Sequence, residues 1–379
     1  MLPVILVLTA GFGDGHNTAA ASVADALRRM SPGEEIVVSD LISEVQPKVS
    51  SILKSLYQVA ITHLPSSWKA VYRWLGQMDL STEQNALLKP LVTALQRRLT
   101  EQKPRVIVST YPLYAGLLHA LRKEQAVPPL VTVITDSTSI HKIWLMAPSD
   151  LYCVADVESD QVLMGLGVEP AQTRVTGFPV SLQFTEKPPA PRSVPSLLYL
   201  PSTPGRHVAA SLEALRPLLL TGVKLTLPVG KHASRLYHVL RRFTDSLPSD
   251  MVDIIGWTQQ IPDFLRSHDV VICKAGGAIL HEVMAARIPA VIDYVVPGQE
   301  EGNADYLLSR HCALRSHSPE QTGQAVAKLL ADGRKLARQM RENMLPISLP
   351  DAALRVAHEV LALAEGKPTP EISSSGRGA

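Results

Sequence analysis

Two glycines and a carboxylate follow an apolar run in the second half of the sequence. Ala275-Gly276-Gly277 comes directly after VVICK, and Glu282 follows about one helical turn later. Glycines at the start of a helix allow backbone amides to approach an anion, and the helix dipole favours phosphate there. A carboxylate one turn further on can accept two hydrogen bonds from a ribose diol.

A second polar loop, PGQEEGN, follows the next apolar run, AVIDYV. It places Gln299 beside Glu300, an amide and a carboxylate that suit the hydroxyls of a sugar. Taken singly, the glycines could form a tight turn and Glu282 could be a surface charge. The ordered set at two successive strand ends predicts a nucleotide-sugar site.

Candidate acid–base groups follow two apolar runs in the first half. Asp136 and His141 come just after LVTVIT, and His16 comes just after VILVL. A transfer reaction needs such a group to take a proton from the attacking hydroxyl. The alternatives are that Asp136 caps the following turn and that His141 is a surface histidine.

The loop GFGDGH contains glycines at positions 11, 13 and 15. A dinucleotide fingerprint has the pattern GxGxxG with an acidic residue about 20 positions on. Asp40 imitates that acidic residue, but His16 stands where the last glycine should be. The mismatch argues against a dehydrogenase. We expect Gly13 and Gly15 to allow close approach of a ligand at a helix N-terminus beside His16, with Asp14 as a turn residue. The resemblance described below implies that Gly13, Gly15 and His16 form an acceptor-side loop.

The composition predicts two ordinary domains. The chain has 379 residues, 46% of them hydrophobic, and a formal charge of +2, so no global field points to nucleic acid. Cys153, Cys273 and Cys312 show no metal-binding spacing and suit buried thiols in a reducing compartment. The sequence lacks a basic leader and any apolar run of about 18 residues, which predicts a cytoplasmic protein.

Short β-branched runs alternate with helical patterns throughout, which predicts an α/β protein with two doubly wound parallel sheets. The proline-rich stretch FTEKPPAPRSVP breaks the alternation and is the expected linker. The predicted domains are residues 1–184 and 196–345. A C-terminal helix at 351–365 could pack on the N-terminal domain, and 366–379 form a disordered tail. Ligands should bind at the carboxyl ends of the strands, in a cleft faced by both sheets.

Residues 50–88 do not follow this alternation of strand and helix patterns. Their apolar positions recur at helical spacing, and cationic and aromatic side chains are interleaved: Lys54, Tyr57, Trp68, Lys69, Tyr72, Arg73 and Trp74. Such a segment can lie in a lipid interface. The alternative is a helical hairpin packed on the sheet.

The segments KAGGAILHE and PGQEEGNADYL, with GFGDGH and ITDSTSIHKIW, resemble the monogalactosyldiacylglycerol synthase and processive diacylglycerol glycosyltransferase family. The similarity extends from about residue 4 to residue 345. It implies a GT-B fold in which the C-terminal domain holds a UDP-sugar and the N-terminal domain holds a lipid. The implied reaction moves galactose or glucose to diacylglycerol or a related lipid, with inversion and without a metal or other cofactor. For residues 50–88 the resemblance implies peripheral contact with the membrane, on its inner face.

The resemblance also implies roles for single residues. Asp136 would act as base, His16 would orient the acceptor or phosphate, and His141 is the third catalytic candidate. Gly177 would lie at a turn facing the cleft. The donor-binding residues would be Glu282 for ribose, Gly276 and Gly277 for diphosphate, Gln299, Glu300 and Asn303 for the sugar, and Gly256, Trp257 and Thr258 for uracil.

The sequence departs from the family after SLLYLP. Where the family has a glycine-rich loop around the diphosphate, this chain has Ser202-Thr203-Pro204-Gly205-Arg206. Hydroxyls and an arginine can replace amide contacts, although proline removes one amide donor. Two alternative functions therefore remain. The chain could be a catalytically altered relative that binds a nucleotide-sugar or a lipid, or it could be a UDP-sugar epimerase on the same fold.

Overall fold

The computed structural model describes residues 2–52, 88–137, 140–190, 192–248, 250–297 and 300–366. The chain forms two compact units. The first comprises the described residues of Met1–Leu182 and Asp351–Ala379, and the second those of Gln183–Pro350. The proline-rich stretch 184–195 therefore belongs to the second unit. Most of the predicted lipid-contacting segment 50–88 and nearly all of the predicted tail lie outside the described residues.

The first unit contains a six-stranded parallel sheet. Its strands are β1 (Val4–Leu8), β2 (Glu35–Ser39), β3 (Val106–Ser109), β4 (Leu130–Val133), β5 (Leu151–Val154) and β6 (Thr173–Val175). Their order is β2-β1-β3-β4-β5-β6. Four of these strands, β1, β3, β4 and β5, are buried along their whole length, as expected for a parallel sheet covered on both faces.

Helices cover both faces of this sheet. In the described part of the unit they are α1 (Asp14–Met30), α2 (Leu41–Val45), α3 (Lys89–Gln102), α4 (Leu113–Leu121) and α5 (Val157–Gly165). The C-terminal helix, Ala352–Ala364, also belongs to this unit. Its apolar face, with Val356 and Val360, shares one hydrophobic core with Val23 and Leu27 of α1.

The second unit repeats the architecture. Its strands are β7 (Ser196–Tyr199), β8 (Lys224–Pro228), β9 (Val252–Ile255), β10 (Val270–Lys274), β11 (Ala290–Tyr294) and β12 (Ala313–Arg315), in the order β12-β11-β10-β7-β8-β9. Its helices are α6 (Gly205–Leu219), α7 (Ala233–Thr244), α8 (Ile261–Ser267), α9 (Gly277–Ala286), α10 (Glu301–Ser309), α11 (Pro319–Leu330) and α12 (Lys335–Asn343). The prediction of two doubly wound parallel sheets is confirmed.

Each sheet reverses its winding at one point. In the first unit the reversal lies between β1 and β3, and in the second unit it lies between β7 and β10. Helices that leave such neighbouring strands go to opposite faces, so a crevice opens at the strands' carboxyl ends. The predicted loops GFGDGH and KAGGA both follow strands at these points.

None of the helices in the described part of the chain combines the length and the apolar character that a bilayer crossing requires.

Helix α11 packs closely on α6 through a glycine. A Cβ on Gly323 would lie 2.7 Å from the backbone oxygen of Ala214. We expect Gly323→Ala to destabilise the protein by roughly 1–3 kcal/mol, because two helix backbones must separate. Thermal unfolding measures the change. Gly165→Ala on α5 is the matched control, since a Cβ there meets nothing within 4 Å. Equal stability losses in the two variants would contradict this packing argument.

Candidate active site

His16 lies in the first turn of α1, just past the carboxyl end of β1. The preceding Gly13 has φ +94°, in the region that favours glycine, and it begins the helix without a side-chain cap. The backbone conformation at position 13 therefore favours glycine. The turn that this glycine permits places the imidazole of His16 beside the end of β3. Gly15 lies within the same first helical turn.

The hydrogen bonds of His16 define its tautomer. Its Nδ1 lies 2.8 Å from the carbonyl oxygen of Thr110 and 2.8 Å from Oγ1 of Thr135. A carbonyl oxygen only accepts, so Nδ1 carries the hydrogen and Nε2 carries the lone pair in the neutral ring. Burial lowers the pKa of His16 to about 4, against a smaller opposing effect of the Thr110 carbonyl. At neutral pH the ring is therefore uncharged.

Aromatic rings surround this histidine. Tyr111 meets the His16 ring edge to face at 5.1 Å between centroids, and Trp144 lies 6.1 Å away. Phe12 stacks on Tyr111 at 5.6 Å. These apolar surroundings explain why desolvation dominates the pKa of His16.

Asp136 follows β4 and is anchored by the same tryptophan. Its Oδ2 accepts a 2.7 Å hydrogen bond from the indole Nε1 of Trp144. Burial raises the pKa of Asp136, and this effect outweighs the lowering by Trp144 and by a backbone hydrogen bond from His141. A raised pKa makes the carboxylate a better proton acceptor. We call His16, Thr110, Thr135, Asp136 and Trp144 the first-unit site.

His141 has a local structural role beside this site. Its Nδ1 accepts a 3.2 Å hydrogen bond from the backbone N–H of Ile143 and caps the short 3₁₀ helix Lys142–Leu145. Burial lowers the pKa of His141, so the ring is neutral and its hydrogen is on Nε2. The geometry therefore makes His141 a donor rather than a base. A catalytic role for it stays a prediction.

Asp40, which imitates the acidic residue of a dinucleotide site, serves the local fold. Its carboxylate accepts hydrogen bonds from the backbone N–H groups of Gly11 at 3.1 Å and Ser43 at 3.0 Å. The Ser43 hydroxyl donates a third at 2.6 Å. These contacts fix the glycine loop against the start of α2.

In the second unit, Gly276 and Gly277 connect β10 to α9. Gly276 has an ordinary φ of −67°, and a Cβ built on it would lie 3.4 Å or more from its neighbours, in normal contact. The protein's own backbone and packing therefore do not require a glycine at position 276. Close approach of a ligand to the N-terminus of α9 would explain why position 276 is a glycine.

Glu282 lies on α9 and is partly buried. Within the described residues its carboxylate has no hydrogen bond and no ion pair, and burial raises its pKa to about 7. A desolvated carboxylate without a partner is costly to the fold. It is therefore suited to receive hydrogen-bond donors from a ligand.

Glu300 contrasts with Glu282. It is buried, and its two oxygens accept hydrogen bonds from Nζ of Lys274 at 2.6 Å and from the backbone N–H of Val296 at 3.0 Å. Nearby, Nδ2 of Asn303 donates to the carbonyl of Ala275 at 3.3 Å. Glu300 and Asn303 thus tie the second loop to the AGG turn. Gln299 lies outside the described residues.

The sequence reasoning missed Lys274 and Arg235. Lys274 ends β10 directly before the AGG turn and forms the ion pair with Glu300. Arg235 of α7 donates a 2.7 Å hydrogen bond to the carbonyl of Thr203. It thereby supports the loop 202–206, which differs from the family pattern. A lysine at the end of an apolar strand was a signal in the sequence that could have identified Lys274 as a site residue. Nothing in the sequence linked Arg235 to a loop 32 residues away.

The remaining predicted residues lie at carboxyl ends of strands. Ser202 and Arg206 are exposed and Thr203 is buried, all after β7. After β9, Gly256 is exposed and the Trp257 side chain is 76% exposed. Thr258 accepts from the backbone N–H of Gln260. Gly177, after β6, has φ +88°. We call the carboxyl edge of β7, β9, β10 and β11, with Glu282, the second-unit site.

The fold is that of GT-B glycosyltransferases. MurG of Acinetobacter baumannii is 15% identical and aligns over 95% of this chain and 99% of its own, with a TM-score of 0.58. A candidate UDP-N-acetylglucosamine 2-epimerase of Listeria monocytogenes is 13% identical and aligns over 98% of this chain and 99% of its own, with a TM-score of 0.65. At these identities the likeness shows the fold alone.

Sequence comparison finds similar proteins. Residues 16–180 match the model of monogalactosyldiacylglycerol (MGDG) synthase. A processive diacylglycerol beta-glucosyltransferase of Bacillus pumilus is 28% identical, with 94% of each chain covered, and that of Bacillus subtilis is 26% identical, with 95% of each covered. In sequence the chain is similar to the monogalactosyldiacylglycerol synthase and processive diacylglycerol glycosyltransferase family, and it is a glycosyltransferase.

The raised pKa of Glu282 has a consequence for stability. Between pH 4.5 and about 7 the folded protein keeps a proton that the unfolded chain has released. The stabilising contribution of this proton is present below pH 4.5 and is lost as the pH rises through about 7. We expect Glu282→Gln to match the wild type at low pH and to be more stable by roughly 1–3 kcal/mol at pH 8.

Denaturant unfolding of the ligand-free protein across this pH range measures the difference. Glu342→Gln is the control, because Glu342 is an exposed carboxyl of the same unit, on α12. Its curve should parallel that of the wild type. A Glu282→Gln curve that also runs parallel to the wild type would show that this carboxyl is not desolvated.

Proposed function

We propose that this glycosyltransferase is an inverting enzyme that transfers a hexose from a UDP-sugar to diacylglycerol or a related lipid. The proposal is carried by the partly buried Glu282 on the helix that the AGG turn begins, whose carboxylate has no partner among the described residues. The relatives are named diacylglycerol beta-glucosyltransferases, which favours glucose as the hexose and a β-linked product. UDP-glucose is α-linked at the anomeric carbon, so a β product requires inversion.

The second unit holds the donor in this proposal. Glu282 accepts the two ribose hydroxyls, and the amides at the N-terminus of α9 meet the diphosphate. Uracil is read by the backbone at Gly256, Trp257 and Thr258. The sugar contacts come from Gln299, Glu300 and Asn303. The diphosphate also receives hydroxyls and a guanidinium from Ser202, Thr203 and Arg206.

The first unit holds the acceptor and the base. Asp136 takes the proton of the acceptor hydroxyl, because desolvation raises its pKa and strengthens it as a base. His16 orients the acceptor through Nε2. Its pKa of about 4 makes the ring a weak proton acceptor but leaves a fixed lone pair for a hydrogen bond from the hydroxyl.

The bonds balance without a further reagent. The acceptor oxygen gives its proton to Asp136 and forms a new bond to the anomeric carbon. The bond from that carbon to the β-phosphate oxygen breaks, and UDP leaves with the electron pair. The new negative charge on the diphosphate is stabilised at the second-unit site. The proposal requires no metal ion and no cofactor other than the UDP-sugar.

The acceptor is a lipid, so we also propose that the protein works at the inner face of the membrane. The supporting feature is the cationic and aromatic pattern of residues 50–88, which suits an anionic lipid interface. Most of this segment lies outside the described residues, and its role rests on the sequence pattern.

Two variants separate donor binding from chemistry. We expect UDP at about 100 times its dissociation constant to stabilise the wild type by roughly 2.7 kcal/mol. Glu282→Ala should abolish that stabilisation. Asp136→Asn should retain it and lower the turnover of glucose transfer from UDP-glucose to diacylglycerol by roughly 10²- to 10⁴-fold. Thermal shift and a radiolabelled transfer assay in lipid vesicles measure these effects.

The same assay decides between the alternatives. UDP-galactose and UDP-N-acetylglucosamine serve as further donors, and a chelator should leave the rate unchanged. Binding of UDP without transfer to any lipid would indicate a catalytically altered relative. Interconversion of a UDP-sugar without an acceptor would indicate an epimerase. Full activity of Asp136→Asn would refute the assignment of the base.

Trp144 should control the acidic limb of the pH–rate profile. Its indole N–H stabilises the ionised form of Asp136, so Trp144→Phe should raise the pKa of this carboxyl further. A base must be ionised to act, so the acidic limb of kcat/KM should move to higher pH while the plateau changes less. Circular dichroism verifies folding of the variant. A limb that stays in place in Trp144→Phe would mean that another group acts as base.

A further inference from the structure

Three side chains of the second unit form a hydrogen-bonded cluster beside the reversal point of the sheet. The Tyr199 hydroxyl donates to Oδ2 of Asp293 at 3.0 Å, and Nε2 of His207 lies 3.0 Å from the same oxygen. Tyr199 ends β7, His207 lies in the first turn of α6, and Asp293 lies near the end of β11. We call these residues the Tyr–His–Asp cluster.

The carboxylate of this cluster has few partners. The Asp293 side chain is completely buried, and in the described part of the chain its one ion pair is with His207. Its Oδ1 has no hydrogen-bond partner among the described residues. A buried carboxylate without a lysine or arginine beside it is stabilised when its histidine neighbour becomes positively charged.

The other edge of the imidazole is available. A carboxylate oxygen accepts, so Nε2 of His207 carries a hydrogen and Nδ1 is the remaining ring nitrogen. Within the described residues Nδ1 makes no hydrogen bond, and the side chain is 20% exposed. The ring also contacts Tyr294, whose carbonyl accepts a hydrogen bond from the backbone N–H of Ala275 in the AGG turn. His207 therefore lies close to the predicted diphosphate position.

We propose that His207, with Asp293 behind it, binds the donor diphosphate through Nδ1–H as an imidazolium. The proposal rests on the UDP-sugar function proposed above. It accounts for the loop that departs from the family pattern, since Pro204 has removed an amide donor immediately before α6. The phosphate would lie on one edge of the ring and the carboxylate on the other, so each negatively charged group would accept a hydrogen bond from one ring N–H.

Asp293 is a positioning residue in this scheme. It fixes the Nε2 hydrogen and thereby turns Nδ1 toward the ligand, as carboxylates do for functional histidines. Tyr199 donates to the same carboxylate but carries no charge. Its loss should therefore affect the packing of the cluster more than the phosphate contact.

The test compares the affinities for UDP and for uridine in the full-length protein by calorimetry. In His207→Ala, UDP should bind about 10- to 100-fold more weakly and uridine less than about 2-fold more weakly, as expected for loss of a hydrogen bond to a charged group. Asp293→Asn should show the same selective loss. The double variant should be no worse than His207→Ala alone, because both substitutions remove one interaction.

Two variants serve as controls. His238→Ala removes an exposed histidine of α7 and should leave both affinities unchanged. Tyr199→Phe perturbs the same cluster without removing the histidine and should preserve the ratio of the two affinities. Equal weakening of UDP and uridine in His207→Ala, or an unchanged UDP affinity, would overturn the role of His207. Absence of UDP binding by the wild type would instead refute the proposed function.

Discussion

The parallel arrangement of both sheets is the constraint on which the candidate sites depend. Parallel strands return through crossovers, so all their carboxyl ends lie along one edge of each sheet. Where the winding reverses, neighbouring loops leave toward opposite faces. His16 after β1 meets Thr110 after β3 for this reason, although 94 residues separate them. The same geometry brings His207 after β7 to Asp293 on β11, 86 residues along the chain.

Desolvation then sets the chemical state of the groups at these edges. Burial is the largest cause of the pKa shift of His16, Asp136 and Glu282 alike. It keeps the histidine neutral and makes both carboxyls more basic than in water. Trp144 partly stabilises the ionised form of Asp136, whereas the ionised form of Glu282 has no such contact among the described residues. A ligand that brings hydroxyl donors supplies the missing interaction, which is the property expected of a sugar and ribose site.

The sequence predicted the strands and helices better than the contacts between side chains that are distant in the sequence. Apolar β-branched runs identify the buried strands, and Gly13 and the AGG turn are recognisable because helix starts after strands have a local signature. Asp136 and Trp144 are eight residues apart and occur in one motif. Thr110, Thr135, Arg235 and Asp293 could not be assigned in this way. Their contacts depend on strand order and register, and no local pattern of residue types encodes these.

Glu282 and Glu300 show why residue type alone does not assign a role. Both are glutamates near the AGG turn, and from the sequence both suit hydroxyl groups, those of the ribose for Glu282 and those of the donor sugar for Glu300. Lys274 and a backbone amide satisfy Glu300, so its charge is compensated within the fold. The carboxylate of Glu282 has no such compensation in the described residues. Glu300 is therefore held within the fold itself, whereas Glu282 keeps its hydrogen-bonding capacity for the ribose hydroxyls of the proposed donor. The difference arises from a lysine at the end of β10, where the register with β11 shifts between Cys273 and Lys274.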